Sequence, residues 1–160
     1  MIIDEIKGNL VTLFLNGKYH IGHGCNCFCA MGAGIAKEIR ERIPKLYEYD
    51  LLTEKGSREK LGTTTYILND NVLAFNMYTQ YQFWGASELV DYDAVGDAVA
   101  TAVKIIDGYI DANILTARLP LALPLIGAGL AGGDWTRIKQ IIDERSGNYP
   151  IVIVHFDGSK

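Results

Sequence analysis

At 160 residues the chain has room for one domain built on one hydrophobic core, expected to span residues 1–160. Apolar residues make up 49% and charged residues 21%, a balance that predicts a soluble globular protein. The formal charge of −4 and a pI near 5.3 argue against non-specific nucleic-acid binding, which needs a basic face. An anionic ligand stays open, because backbone amides bind phosphate without changing the net charge. No apolar run reaches the roughly 20 residues of a membrane span, and the Met1-Ile2-Ile3-Asp4-Glu5 start lacks a secretory pattern. The expected compartment is the cytosol, with no membrane partner.

Residues 2–7 read as a first strand, closed by Gly8-Asn9, and residues 19–24 as a second. Residues 34–43 read as a helix, with Ile35, Ile39 and Ile43 on one face and Lys37, Glu38, Arg40, Glu41 and Arg42 largely elsewhere. Pro44 opens a further short helix through Tyr47 to Leu52, ending near Gly56. Residues 63–68 and 72–77 form a predicted hairpin around Asn69-Asp70-Asn71, residues that tolerate turn conformations.

The longest helix is predicted over 89–109, where Val95, Val99, Ala102, Ile106 and Tyr109 make a buried stripe. Asp91 and Asp93 at its start suit the helix dipole and are read as structural. Residues 119–125 form a short apolar strand with Pro120 and Pro124 expected at its ends. A helix over 135–145 follows, with Asp134 as its N-cap and Ile138, Ile141 and Ile142 inward. Residues 151–156 are the last strand. This alternation predicts an α/β fold in three layers, with a mixed, mostly parallel sheet of about six strands.

Two glycine-rich, nearly charge-free loops carry the functional signal. The first runs from Gly22 to Ala36 through Met31-Gly32-Ala33-Gly34-Ile35, and the second from Pro124 to Gly133 through Ile126-Gly127-Ala128-Gly129-Leu130-Ala131-Gly132. Each leaves a strand and enters a helix. Glycines there let amide N–H groups crowd round an anion, and each helix start is expected to add its dipole. In such sheets ligands sit beyond the carboxyl ends of the strands, where both loops fall. A pair of such loops suggests a clamp for a diphosphate or a sugar phosphate.

The second loop also matches G-x-G-x-x-G, but only one strand follows it, which argues against a nicotinamide-dependent hydride-transfer enzyme. His23, Cys25, Cys27 and Cys29 could suggest zinc, or one cysteine a nucleophile. Alternation by two is poor chelate spacing and no histidine–cysteine pairing stands out, so the thiols are read as reduced and packed behind the loop, with no metal expected. His23 and Asn26 sit at a strand mouth, expected to face whatever the loop holds: imidazole for proton transfer, the amide for sugar hydroxyls. For His23 the alternative is a plain hydrogen bond to a backbone carbonyl. The uncharged run Tyr78-Thr79-Gln80-Tyr81-Gln82-Phe83-Trp84-Gly85 either meets a ligand or partner or folds onto the core.

Three segments together resemble the macro domain family: Lys7-Gly8-Asn9; His23-x-Cys25-Asn26-Cys27 through Met31-Gly32-Ala33-Gly34-Ile35-Ala36; and Ile126-Gly127-x-Gly129-Leu130-x-Gly132-x-x-Trp135. The closer likeness is to the branch holding ADP-ribose-1''-phosphatase and the terminal ADP-ribose protein glycohydrolase. The resemblance implies an ADP-ribose site, with Asn9 and Leu10 near the adenine, where relatives more often carry aspartate after the glycine. It also implies Asn26 and Met31, Gly32, Ala33, Gly34 and Ile35 at the distal ribose and diphosphate. Ile126, Gly127, Ala128, Gly129, Leu130, Ala131 and Gly132 would wrap the diphosphate, with Thr79 and Gln80 beside them.

The glycohydrolase branch resembles this chain less at two places, where its lysine and aspartate are matched by Gln80 and Ala131. Neither can serve as a covalent amine or a carboxylate base. The resemblance at His23 implies a phosphatase that hydrolyses ADP-ribose 1''-phosphate, with His23 and Asn26 catalytic, no cofactor, and a monomer. A non-catalytic ADP-ribose reader, or a hydrolase of O-acetyl-ADP-ribose or ADP-ribosylated substrates, are the alternatives.

Overall fold

The computed structural model describes residues 1–85 and 87–160. The elements run β1 (Ile2–Gly8), α1 (Leu10–Leu15), β2 (His20–Cys25), α2 (Gly34–Arg42), α3 (Pro44–Leu51), β3 (Thr64–Asn69), β4 (Val72–Tyr78), α4 (Tyr92–Asp111), β5 (Leu121–Leu123), α5 (Trp135–Arg145) and β6 (Ile151–Phe156). Six strands form one sheet in the order β1-β6-β5-β2-β4-β3. Every neighbouring pair is parallel except the β3–β4 hairpin.

Parallel neighbours need crossovers, and helices on both faces supply them. Buried on both faces, β4 reads as a nearly continuous apolar run: Leu73, Phe75 and Met77 pack toward α4 and α5, while Val72, Ala74 and Tyr78 pack toward α1, α2 and α3. The result is a three-layer α/β/α fold, as the alternation of patterns predicts. Among the described residues no helix is long and apolar enough to cross a membrane.

Local chemistry sets the boundaries. The long helix starts at Tyr92 rather than residue 89 because Asp91 caps it, accepting from the Ala94 amide at 2.9 Å. Val90 is drawn instead into a bridge with Gln80. Strand β5 is only three residues long, flanked by Pro120 and Pro124, which have no amide to donate. Helix α1 has no counterpart in the sequence reading. Its run Leu10–Leu15 carries little polar face to mark a helical period, and it starts because Asn9 accepts from the Thr12 amide at 3.0 Å.

Candidate functional site

Both glycine loops border one cleft of about 790 Å³. Its wall takes Val154 and Phe156 from β6, Pro124 after β5, Gly24, Cys25 and Asn26 at the end of β2, and Gln80 past β4. The cleft therefore crosses the carboxyl ends of four adjacent strands, a span of about 14 Å at the usual strand spacing. Its size and position suit a ligand of dinucleotide or nucleotide-sugar dimensions.

From the first loop, Met31, Gly32, Ala33, Gly34 and Ile35 stand on the wall with Asn26. Gly34 begins α2 with φ +58°, and Ala33 before it is extended and offers no side-chain cap. The first amides of a nine-residue helix thus open uncapped at the cleft, where helix geometry leaves donors unpaired and the dipole favours an anion. Asn26 shapes the loop: its Oδ1 accepts from the Phe28 amide at 2.9 Å, and its Nδ2 donates to the Ala30 carbonyl at 2.9 Å. One Nδ2 hydrogen remains for a ligand.

From the second loop, Ile126, Gly127, Gly129, Leu130 and Ala131 line the opposite wall. Hydrogen bonds within this loop use the amides of Ile126, Ala128, Gly132 and Gly133. The amides of Gly127, Gly129, Leu130 and Ala131 have no partner among the described residues. The expectation that a helix dipole stands behind this loop is corrected. Asp134 closes the start of α5, accepting from the Arg137 amide at 3.4 Å, and Trp135 faces a different surface groove. A carboxylate already occupies the place an anion would take.

His23 is also corrected. Along β2, Ile21, His23 and Cys25 share the side facing α1–α3, so the imidazole points into that layer and is fully buried. Its Nε2 lies 2.7 Å from Asn76 Oδ1. Asn76 Nδ2 donates to the Leu46 carbonyl at 2.9 Å and to Thr65 Oγ1 at 3.0 Å, so Oδ1 is the acceptor and His23 carries its proton on Nε2. Burial drives the His23 pKa down to about 4, against a smaller upward pull from Asn76, so the ring is neutral at pH 7. His23 does not line the cleft.

The other expected residues divide. Gln80 is on the wall. Leu10 is in the core and Thr79 is almost fully buried, its Oγ1 without a hydrogen-bond partner among the described residues. Ala128 and Gly132 do not line the cleft, and a side chain at Gly132, φ +68°, would strike the Ser87 carbonyl. Asn9 is buried too, but it reaches the site indirectly. Its Nδ2 donates to Glu38 Oε1 at 2.8 Å, and Arg42 bridges to the same oxygen at 2.7 Å.

Glu38 lines the cleft and went unread, because α2's charges look like a solvated face. Cys25, read as packed behind the loop, is on the wall. Burial pushes its thiol pKa well up, so it stays protonated beside His23 Nε2 at 3.4 Å. The thiols do not converge: Cys27 Sγ contacts the Gln80 carbonyl at 3.6 Å, and Cys29 Sγ the Asp50 carbonyl at 3.3 Å. Phe83, Leu89 and Phe156 add apolar wall. Phe83 belongs to the aromatic run that the composition singles out, whereas nothing in the pattern of β6 marks Phe156.

No protein-family model matches the chain. It is 35% identical to an uncharacterized 17.5 kDa protein from the tk-vs intergenic region of Enterobacteria phage T4, across 98% of each chain. It is 24% identical to an ADP-ribose 1''-phosphate phosphatase of Saccharomyces cerevisiae (strain YJM789), across 94% of this chain and 97% of that one. Among solved structures, the macrodomain of Mycobacterium tuberculosis DarG superposes with a TM-score of 0.70 at 17% identity, covering 96% of this chain and 97% of that one. Thermosipho africanus DarTG, solved in complex with ADP-ribose, gives 0.67 at 14% identity, covering 92% of this chain and 40% of that one. Sheet order, two loops on one cleft and these likenesses agree: the chain has the macro domain fold.

Proposed function

We propose that the cleft binds ADP-ribose or a derivative of it. The observation that carries this reading is the pair of amide sets without a partner among the described residues, at the start of α2 and in the second loop, on residues that line one cleft. Backbone donors on two sides suit a diphosphate, and the cleft wall holds no lysine or arginine among the described residues to do it instead. The adenosine half fits the β6 end, where the Glu38 carboxylate, steadied by Asn9 and Arg42, can accept from an exocyclic amine beside the exposed Phe156 ring. The terminal ribose then lies at Asn26 and Gln80.

Likeness to the yeast phosphatase favours a second reading, hydrolysis of ADP-ribose 1''-phosphate to ADP-ribose and inorganic phosphate. In it water attacks phosphorus and the bond from phosphorus to the 1''-oxygen breaks, that oxygen leaving with a proton. Loop amides would hold charge on the phosphoryl oxygens, and Asn26 and Gln80 would orient the water and the ribose. His23 stays out of the reacting atoms and acts only by steadying Asn76 behind Cys25. Hydrolysis through a covalent amine has no support at Gln80 and Ala131.

Titration calorimetry with ADP-ribose tests the binding. Saturable one-to-one binding, weakened at least tenfold by Gly129→Asp, is the expected result. Absence of binding at millimolar ligand overturns the reading. Phosphate release from ADP-ribose 1''-phosphate tests the reaction separately.

A further inference from the structure

At the β4 end the cleft wall runs on into half-exposed aromatic side chains. Phe83 is part of the wall and 54% exposed, and Trp84 beside it is 48% exposed. The Trp84 ring stands edge-on to Phe83, with centroids 5.1 Å apart at 85°, and to Phe28, 4.8 Å apart at 71°. Phe28 is in turn edge-on to Tyr81 at 4.9 Å. Edge-to-face packing turns rings across one another instead of hiding their faces together.

This cluster is anchored on its inner side. Tyr81 donates its hydroxyl to the Gly56 carbonyl at 2.8 Å, and the Arg58 guanidinium lies 3.8 Å from the Tyr81 ring centroid. Gly56, at φ +81°, lets its backbone close on the Phe28 ring, where an added Cβ would come within 3.2 Å. The segment itself is braced by its own amides: Gln80 Nε2 donates to the Gln82 carbonyl and Gln82 Nε2 to the Trp84 carbonyl, both at 2.8 Å. Two half-exposed rings are thus held in place at the mouth of the cleft, next to the amide of Gln80.

We propose that Phe83 and Trp84 are a stacking platform for a planar aromatic or heteroaromatic ring carried on the terminal ribose, so that the ligand is a small-molecule aryl or heteroaryl conjugate of ADP-ribose. This rests on the ADP-ribose reading of the cleft and not on hydrolysis of the 1''-phosphate. Continuity decides the occupant: Phe83 is at once cleft wall and cluster member, so a group leaving the terminal ribose meets the platform directly. Chemistry decides its type. A ring finds π-faces there, whereas the cleft wall offers an anion no lysine or arginine among the described residues and Arg58 is engaged on Tyr81. The same lack of cations, with a net charge of −4, favours a small molecule over a nucleic-acid strand.

Calorimetry on the whole chain would compare ADP-ribose, its 1''-O-(4-nitrophenyl) glycoside, ADP-ribose 1''-phosphate and a single-stranded decathymidylate. The nitrophenyl conjugate is expected to bind about tenfold tighter than ADP-ribose, the gain of one ring on an aromatic side chain. In Trp84→Ala the gain should fall below about threefold while ADP-ribose affinity holds, and Trp84→Phe should restore most of it. A conjugate no tighter than ADP-ribose, or a gain that survives Trp84→Ala, overturns the platform and leaves the ADP-ribose reading standing. Failure of ADP-ribose itself to bind removes both. Binding of decathymidylate in preference to the conjugate overturns the small-molecule assignment.

Discussion

The two faces of the sheet reach the cleft by different means. The α4–α5 face is an apolar core of residues such as Phe75, Val99, Ile106 and Ile142, and its loop is tightly built. Gly133 donates to the Gly127 carbonyl at 2.7 Å, Leu89 to Ala131 at 2.7 Å, and Gly132 passes against the Ser87 backbone. The α1–α3 face buries a polar network: His23 to Asn76, Asn76 to Thr65, Thr65 to Tyr78, and Tyr78 donating to Asp50 at 2.8 Å. Lys60, nearly buried beside it, donates to the Cys27 carbonyl at 3.0 Å. Its loop is looser: among the described residues nothing lies within 4 Å of a Cβ added at Gly32 or Gly34, whereas on the other loop only Gly129 is open and a Cβ at Gly127, Gly132 or Gly133 would collide. One wall is fixed by packing and by backbone hydrogen bonds within its own loop. The other is backed by a buried side-chain network and keeps its helix start open.

The sharpest break in this contrast comes from matched glycine substitutions. Gly132→Ala combines a left-handed backbone with a collision against Ser87 and should cost about 2–5 kcal/mol in denaturant unfolding. Gly32→Ala, on the loose loop, should stay within about 0.5 kcal/mol. Equal costs would erase the distinction.

Acid probes the polar face next. The folded pKa of His23 is about 4 and that of His20 also about 4, both through burial and both below the ordinary 6.5. Between those values the unfolded chain takes up protons that the folded chain refuses, so stability is full above about pH 6.5 and falls as pH drops toward 4. The loss is up to about 3 kcal/mol per histidine, measured by denaturant midpoints across that range. In His23→Gln the fall over the same window should shrink by about half.

The smallest effects come from the helix starts. Asp134→Ala should cost about 1 kcal/mol and leave ADP-ribose binding unchanged, since that cap serves only α5. Ala33→Asp should do the reverse, stabilising by about 0.5–1 kcal/mol while weakening ADP-ribose about tenfold, because a carboxylate would take the amides of α2. Melting curves and calorimetry on the same two variants check both.

Where periodicity was strong, as in β4, α4 and α5, the sequence could be read into structure directly, and the convergence of two glycine loops followed from their place after parallel strands. The failures have identifiable causes. His23 was placed by its neighbourhood to glycines, whereas the alternation along β2 sets it on the same side as Ile21 and Cys25. Asp134 was correctly read as a cap, yet a capped start cannot also receive a phosphate, and the two expectations about that helix were incompatible. Glu38 turns to the cleft through a hydrogen bond from Asn9, a partner 29 positions away that no local pattern shows.

The strand order also governs when the cleft can first form. The cleft joins β2, early in the sequence, to β5 and β6, far later in it, and β2 pairs directly with β5. A chain that stops before residue 151 lacks Val154 and Phe156 and the strand that carries them, and with them one end of the cleft wall. Such distant pairings close slowly. An assembled cleft therefore reports that the distant pairings of β2 with β5 and of β5 with β6 have both formed.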